Sequence, residues 1–172
     1  KAYTAHLKDK GISTFLRRDW CELEGAESFR PSSPGKYPRP SKKLCPYSQR
    51  SEEFWRERIA KDFAMVPDLA GYRLAGTDYI YANGAPWLCD CQKCAAHTEW
   101  DRTLYAVRMM ARLLAEYNAI LFWETCQDDP NGQYEETFYF DNYTGRIPDN
   151  AFILVKDMYW DYYPGYPRHS LF

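Results

Sequence analysis

The sequence predicts an α/β domain in which parallel strands alternate with helices. Segments with helical spacing of apolar residues alternate with short apolar runs, which is the pattern of a parallel sheet packed against helices. The run from Ala119 to Trp123 is almost entirely apolar, as expected of a strand buried on both faces. Each of the four predicted strands also ends at an acidic residue.

The overall composition indicates one domain with no nucleic-acid partner and no membrane span. A chain of 172 residues is long enough to bury a sizeable core. Its net charge is −2, and its scattered basic residues do not form the basic face that nucleic acid requires. No apolar run approaches the roughly 20 residues of a membrane helix. The sequon Asn142-Tyr143-Thr144 permits glycosylation, and we expect an extracytoplasmic location, either secreted or periplasmic.

A helix and a strand are predicted before the first long loop. Residues 1–10 form the end of a helix, because Gly11 stands where the glycine after a helix is expected. Ile12 to Leu16 is the first strand, and it ends in Arg17-Arg18-Asp19-Trp20. The segment from Cys21 to Arg50 contains five prolines and predicts a long loop, which is either functional or a surface excursion.

The second helix and the second strand follow this loop. Ser51 is the expected N-cap, and Pro67 ends the helix. The apolar residues at helical spacing are Trp55, Ile59, Phe63 and Val66. Gly71 to Ala75 is the second strand, and it breaks at Gly76-Thr77-Asp78.

The third helix and the last two strands complete the pattern. Thr98 and Asp101 predict a capping box, and the helix continues to about Tyr117. The third strand is Ala119 to Trp123, and the fourth is Phe152 to Val155.

The acidic residues at the strand ends support the functional prediction. They are Asp19, Asp78, Glu124 and Asp157. The carboxyl ends of parallel strands share one edge of a sheet, where ligand sites form, so we expect these carboxylates to converge on one crevice. Asp78 and Glu124 are the predicted catalytic pair because they end adjacent strands, and Asp157 is the reserve. The alternative is that the acids cap turns or pair with Arg17, Arg18 and Lys156.

Aromatic residues accompany these acids and suggest a carbohydrate ligand. Sugar rings stack on aromatic faces, while their hydroxyl groups bond to carboxylates. A pair of carboxylates also performs glycoside hydrolysis, in which one protonates the leaving oxygen and the other acts as base or nucleophile. Core packing is another explanation for an aromatic content of 17%. The predicted substrate-binding residues are Arg18, Asp19, Trp20, Trp87, Trp123, Tyr159 and Trp160.

The cysteines form a second group of candidate ligands. Thiolates in the loops after the second and third strands could hold a structural zinc ion, with His97 as a substitute ligand. The predicted metal ligands are Cys89, Cys91, Cys94 and Cys126. An alternative is a set of disulfides in which Cys21 and Cys45 bridge the long loop, since the six cysteines allow complete pairing. A third interpretation is that the thiols are reduced and buried.

The stretch from Gly76-Thr77-Asp78 through Trp87 to Cys89-Asp90-Cys91-Gln92-Lys93-Cys94 resembles a loop of glycosidase-like bacterial barrel proteins, which are distantly similar to the α-glucuronidases. The resemblance implies a (β/α)8 barrel that acts on a polysaccharide or oligosaccharide. A closed barrel takes about 250 residues. We therefore expect residues 1–172 to be a single α/β domain that forms about half of a barrel, completed by its missing remainder or by an oligomeric partner. The rival interpretation is a complete open sheet.

The leading hypothesis is a glycoside hydrolase that requires no cofactor for its chemistry. One alternative is a non-catalytic carbohydrate-binding or degenerate barrel segment. Another is an interaction module held together by a metal-bound cysteine loop.

Overall fold

The chain folds as an α/β structure, and the computed structural model describes residues 2–20, 30–31, 42–43, 45–75, 91–125 and 143–155. Its helices are α1 (Ala2–Asp9), α2 (Gln49–Met65), α3 (Gln92–Ala95) and α4 (Glu99–Ala115). Its strands are β1 (Thr14–Asp19), β2 (Arg30–Pro31), β3 (Lys42–Lys43), β4 (Leu69–Ala75), β5 (Ile120–Thr125) and β6 (Ala151–Val155). No helix within these ranges combines the length and apolar character needed to span a membrane.

The main sheet contains four strands, all of them parallel. Their order is β1-β4-β5-β6, so the order in space follows the order in the chain. This confirms the predicted α/β class with parallel strands. The first strand differs most from its prediction, because it begins at Thr14 rather than Ile12 and extends to Asp19. Its two arginines belong to the strand because each reaches a buried carboxylate, described below.

The helix ends show which capping predictions are correct. Gly11 has a φ of 72° and follows α1, as predicted. Thr98 caps α4 by accepting a hydrogen bond from the Asp101 backbone N–H at 3.1 Å, which confirms the predicted N-cap. The N-cap of α2 is Ser48 and not Ser51. Ser51 lies inside the helix, where its hydroxyl donates to the carbonyl oxygen of Cys45 at 2.6 Å.

Three short elements were not predicted. Helix α3 follows Cys91, and β2 pairs with β3 in antiparallel register within the segment expected to be a loop. All three are too short to show a periodic apolar pattern.

Helices α2 and α4 pack on the same face of the sheet and form the core with it. Paired positions on this face include Tyr72 of β4 and Leu121 of β5, and both side chains are fully buried. The two helices are also joined across their exposed edges by ion pairs, among them Arg56 to Glu116 at 2.7 Å. The main core residues of the helices are Trp55, Ile59, Phe63, Val107, Met110, Ala111 and Leu114.

The opposite side of the sheet, here called the second face, has a different character. Phe122 of β5 contacts Phe15 of β1 with ring centroids 4.9 Å apart, and it contacts Phe152 of β6 at 5.6 Å. Arg17 and Arg73 share this face, since alternate residues of a strand point to opposite sides. The second face therefore combines an aromatic row with guanidinium groups, and Phe152 is 47% exposed.

Gly71 sets the contact between β4 and β5. It pairs with Ile120, and a Cβ built at Gly71 would lie only 1.9 Å from the Ile120 carbonyl oxygen. The register of β4 against β1 also shifts just before this residue. A side chain at this position would push the backbone of β5 away, because no flexible group is available to yield.

We expect Gly71→Ala to lower the free energy of unfolding by about 2 kcal/mol or more, because overpacking forces backbone shifts. Urea denaturation followed by tryptophan fluorescence measures the change. Gly145→Ala is the matched control, because Gly145 has a φ of 69° but open space around its Cα. A loss at Gly71 no larger than the loss at Gly145 would contradict the steric explanation.

A buried carboxylate fixes α2 to the sheet. Asp62 is 1% exposed and accepts two hydrogen bonds from Arg18, at 3.1 and 2.7 Å. It also accepts one from the Tyr72 hydroxyl at 2.6 Å. Burial and this hydrogen bond raise the pKa of Tyr72, so the hydroxyl remains a donor at neutral pH. The network satisfies both carboxylate oxygens in the core.

We expect Asp62→Asn to lower the free energy of unfolding by about 3 kcal/mol, because it leaves the Arg18 charge partly buried without its counter-charge. Thermal and urea denaturation measure the loss. Asp68→Asn is the matched control, since Asp68 pairs with the exposed Lys8 at the surface. Surface ion pairs contribute little, so this control should unfold like the wild type. Equal effects of the two substitutions would rule out a special role for the buried network.

Candidate functional site

Glu124 is the strand-end acid whose surroundings the structure defines best. It lies near the carboxyl end of β5, is 3% exposed, and belongs to the second face. Arg73 donates two hydrogen bonds to it, from Nε to Oε2 and from Nη2 to Oε1, both at 2.9 Å. A two-point contact of this kind fixes the orientation of a carboxylate as well as its position.

A second arginine approaches the same carboxylate. The Nε atom of Arg17 lies 4.0 Å from Oε2 of Glu124. Arg17 and Arg73 occupy paired positions on β1 and β4, and both are largely exposed. The arrangement places a buried, oriented carboxylate beside two guanidinium groups at the edge where the parallel strands end.

The backbone brings one more predicted acid close to this position. Asp19 pairs with Ala75, and Ala75 pairs with Glu124. The two acidic positions are therefore level with each other across two strand spacings, or about 10 Å. Asp78 and Asp157, the other predicted acids, lie outside the described residues.

Three predicted substrate-binding residues lie on the helix side of the sheet. Trp20 and Trp123 are 1% and 0% exposed, and their ring centroids are 5.9 Å apart. Arg18 is held by Asp62. Neither tryptophan has an exposed face on which a sugar could stack, so their burial favours the core-packing explanation for these aromatics. Trp87, Tyr159 and Trp160 lie outside the described residues.

Three thiols form a compact cluster that could hold a metal ion. The sulfur of Cys45 is 3.6 Å from that of Cys91 and 3.6 Å from that of Cys94. All three sulfur atoms lie within 4.8 Å of one another. Cys94 is fully buried, whereas Cys45 and Cys91 are half-buried, and no disulfide joins them to one another or to another described residue.

The cluster changes one part of the cysteine prediction. The sequence predicts Cys91 and Cys94 as metal ligands, and it offers Cys45 only in the alternative, as part of a disulfide with Cys21 across the long loop. In the structure Cys45 approaches residues 46 and 49 positions further along the chain. Sequence spacing alone does not reveal such a contact. Cys21, Cys89 and Cys126 lie outside the described residues.

His97, the suggested substitute ligand, does not belong to the cluster within the part of the chain that the structure describes. Its ring stacks on Tyr47 with centroids 4.7 Å apart, and Tyr47 also contacts Tyr105. Burial raises the pKa of Tyr47 to about 12, and the nearby carboxylate of Asp101 adds to this rise. These rings form an aromatic patch beside the thiols.

No protein-family model matches the chain, and a search of curated proteins finds no similar sequence. The resemblance to glycosidase-like barrel proteins therefore stays a prediction from the cysteine loop.

Proposed function

We propose that the chain is a glycoside hydrolase that acts on a polysaccharide or oligosaccharide. Glu124 supports this proposal, because it is a buried carboxylate held in a defined orientation near the carboxyl end of an inner parallel strand. Ligand sites of α/β proteins form at this edge. Carboxylates at that position supply the acid and the base or nucleophile of glycoside hydrolysis.

The contacts of Glu124 favour one role over the other. Both of its oxygens accept hydrogen bonds from Arg73, as in an ionised carboxylate paired with a guanidinium. An ionised carboxylate serves as nucleophile or as base towards water, whereas the general acid must carry a proton. We assign the nucleophile or base to Glu124.

The general acid in this proposal is Asp78, with Asp157 as the reserve. Asp78 follows the last residue of β4 by three positions, and Asp157 follows the last residue of β6 by two. Both strands pair with β5. The acid gives its proton to the glycosidic oxygen as the bond to the anomeric carbon breaks. This chemistry uses carboxylates and water and requires no cofactor.

The sheet in this proposal is part of a (β/α)8 barrel. The order of the strands described does not reverse, whereas a doubly wound sheet reverses at its switch point. Helices α2 and α4 share one face, as the outer helices of a barrel do. The second face would line the interior, and further strands from the rest of the polypeptide or from an oligomeric partner would close the barrel.

We expect Glu124→Gln to reduce hydrolysis by about 100-fold or more, which is the usual contribution of one acid–base group. Asp78→Asn should have an effect of similar size. Release of reducing ends from neutral and uronic-acid oligosaccharides measures the activity of the longest natural polypeptide that contains this chain. Glu116→Gln is the matched control, because Glu116 is an exposed glutamate after α4.

Circular dichroism and thermal denaturation must first show that each variant folds. Equal activity of the folded Glu124 variant and the wild type would exclude the catalytic assignment. Glycan binding without turnover in the wild type would instead support a non-catalytic carbohydrate-binding protein. If the wild type neither binds nor hydrolyses any glycan of the panel, carbohydrate is excluded as its ligand.

A second candidate function is an interaction module held by a metal-bound cysteine loop. The thiol cluster favours it, because Cys45 comes before α2 and Cys91 and Cys94 come before α4. A metal would join two segments that no disulfide links among the residues described. This candidate requires the metal for folding and no catalytic carboxylate, so loss of activity in Glu124→Gln would argue against it.

A further inference from the structure

We propose that Cys45, Cys91 and Cys94 are three ligands of one tetrahedral zinc ion, which joins the turn before α2 to the turn that contains α3. The prediction from sequence placed zinc between the loops after the second and third strands. The structure brings Cys91 and Cys94, which follow β4, together with Cys45, which follows β1. Cys126, which follows the third predicted strand, lies outside the described residues. This inference is independent of the proposed hydrolase activity.

The distances between the sulfurs fit a shared ion. Tetrahedral zinc with Zn–S bonds of about 2.3 Å places its sulfur ligands about 3.8 Å apart. The distances from the Cys45 sulfur to those of Cys91 and Cys94, both 3.6 Å, are close to this value. A disulfide requires sulfurs about 2.0 Å apart, so the spacing is too wide for a covalent bond.

The chemistry of the donors selects the metal. Thiolates are soft ligands that favour zinc, copper(I) or iron over calcium and magnesium. Within the described ranges, no carboxylate joins the cluster. In an iron–sulfur cluster the cysteine ligands bind different iron atoms, so their sulfurs are farther apart than ligands of one ion. The three sulfurs here all lie within 4.8 Å of one another. A single ion fits this spacing.

Hydrogen bonds to their carbonyl oxygens hold two of the three proposed ligands, Cys45 and Cys91, in local turns. The carbonyl oxygen of Cys45 accepts hydrogen bonds from the Ser48 N–H at 3.2 Å and from the Ser51 hydroxyl at 2.6 Å. The carbonyl oxygen of Cys91 accepts from the Ala95 N–H at 2.8 Å. These two local turns hold the sulfurs at the spacing of a coordination site.

Repulsion between deprotonated thiols would favour a bound cation at this position. Deprotonated thiols at this spacing would repel one another strongly, and Cys94 has no exposed surface on which water could screen its charge. A divalent cation removes this repulsion. Three thiolates leave one coordination position of a tetrahedral ion for a fourth ligand.

The test is the zinc content and zinc affinity of the full chain, purified under reducing conditions with zinc present. We expect one zinc per chain by mass spectrometry of the metal. Competition with a chromogenic chelator should show that Cys45→Ser weakens zinc binding by about 100-fold or more, at least as much as loss of an outer-shell contact. Ser48→Ala is the matched control, because Ser48 lies in the same turn and its side chain makes no capping hydrogen bond. It should bind zinc like the wild type.

A second measurement keeps the proposal testable if Cys45→Ser does not fold. Cobalt replaces zinc in the wild type, and its visible spectrum reports tetrahedral geometry while its thiolate charge-transfer intensity reports the number of sulfur ligands. Fewer than three thiolates would overturn the proposal. The same measurement in Cys21→Ser, Cys89→Ser and Cys126→Ser shows whether another cysteine is the fourth ligand.

Several other outcomes would also overturn the assignment. Unchanged zinc affinity in folded Cys45→Ser would exclude Cys45 as a ligand. If the purified protein contains iron and acid-labile sulfide, the cluster holds an iron–sulfur centre and the zinc assignment is wrong. If the purified protein is metal-free and binds no zinc on titration, the three cysteines are reduced thiols and not metal ligands. None of these measurements depends on glycan hydrolysis, so a failed zinc test and a failed hydrolase test remain distinguishable.

Discussion

The close backbone contact between Gly71 and Ile120 determines how the rest of the sheet is aligned. It fixes the register of β4 against β5, in which Arg73 pairs with Phe122 and Ala75 pairs with Glu124. Arg73 and Glu124 are therefore diagonal neighbours on adjacent strands of the second face, which lets Arg73 form its two hydrogen bonds to Glu124. A slip of one residue would turn Arg73 towards the helices and remove this contact. The local geometry of one glycine therefore determines the electrostatics of the candidate catalytic residue.

Strand β1 distributes its two arginines between two buried carboxylates. Consecutive residues of a strand point to opposite faces, so Arg18 reaches Asp62 among the helices while Arg17 approaches Glu124 on the second face. Each carboxylate is nearly inaccessible to solvent and would be costly to bury without such a partner. The Asp62 pair is tied to Tyr72 inside the core, which suits a structural role. The Glu124 pair uses guanidinium groups that remain largely exposed, which suits contact with a ligand.

Local patterns predicted the elements of this fold better than they predicted its contacts. Apolar spacing and capping signals located α2, α4 and all strands of the main sheet, with Gly11 and Thr98 in their expected roles. These local patterns do not predict contacts between residues that are distant in the sequence. The burial of Trp20 and Trp123 depends on the helix layer above them, and a strand-end position alone does not distinguish a stacking platform from a core residue. Cys45 was missed for the same reason, since its partners are distant in sequence and are brought near by the parallel crossovers.

The two candidate sites belong to the same edge of the sheet. Helix α2 ends at Met65, four residues before β4 begins, and α4 ends at Ala115, five residues before β5 begins. These short connections place the ends of both helices near the starts of the strands, so the helices begin near the carboxyl edge. Cys45 lies four residues before the first residue of α2, and Cys94 lies five residues before the first residue of α4. The thiol cluster therefore lies beside the edge that carries Glu124, on segments separate from it. A metal there would hold these segments in place without using Glu124 as a ligand.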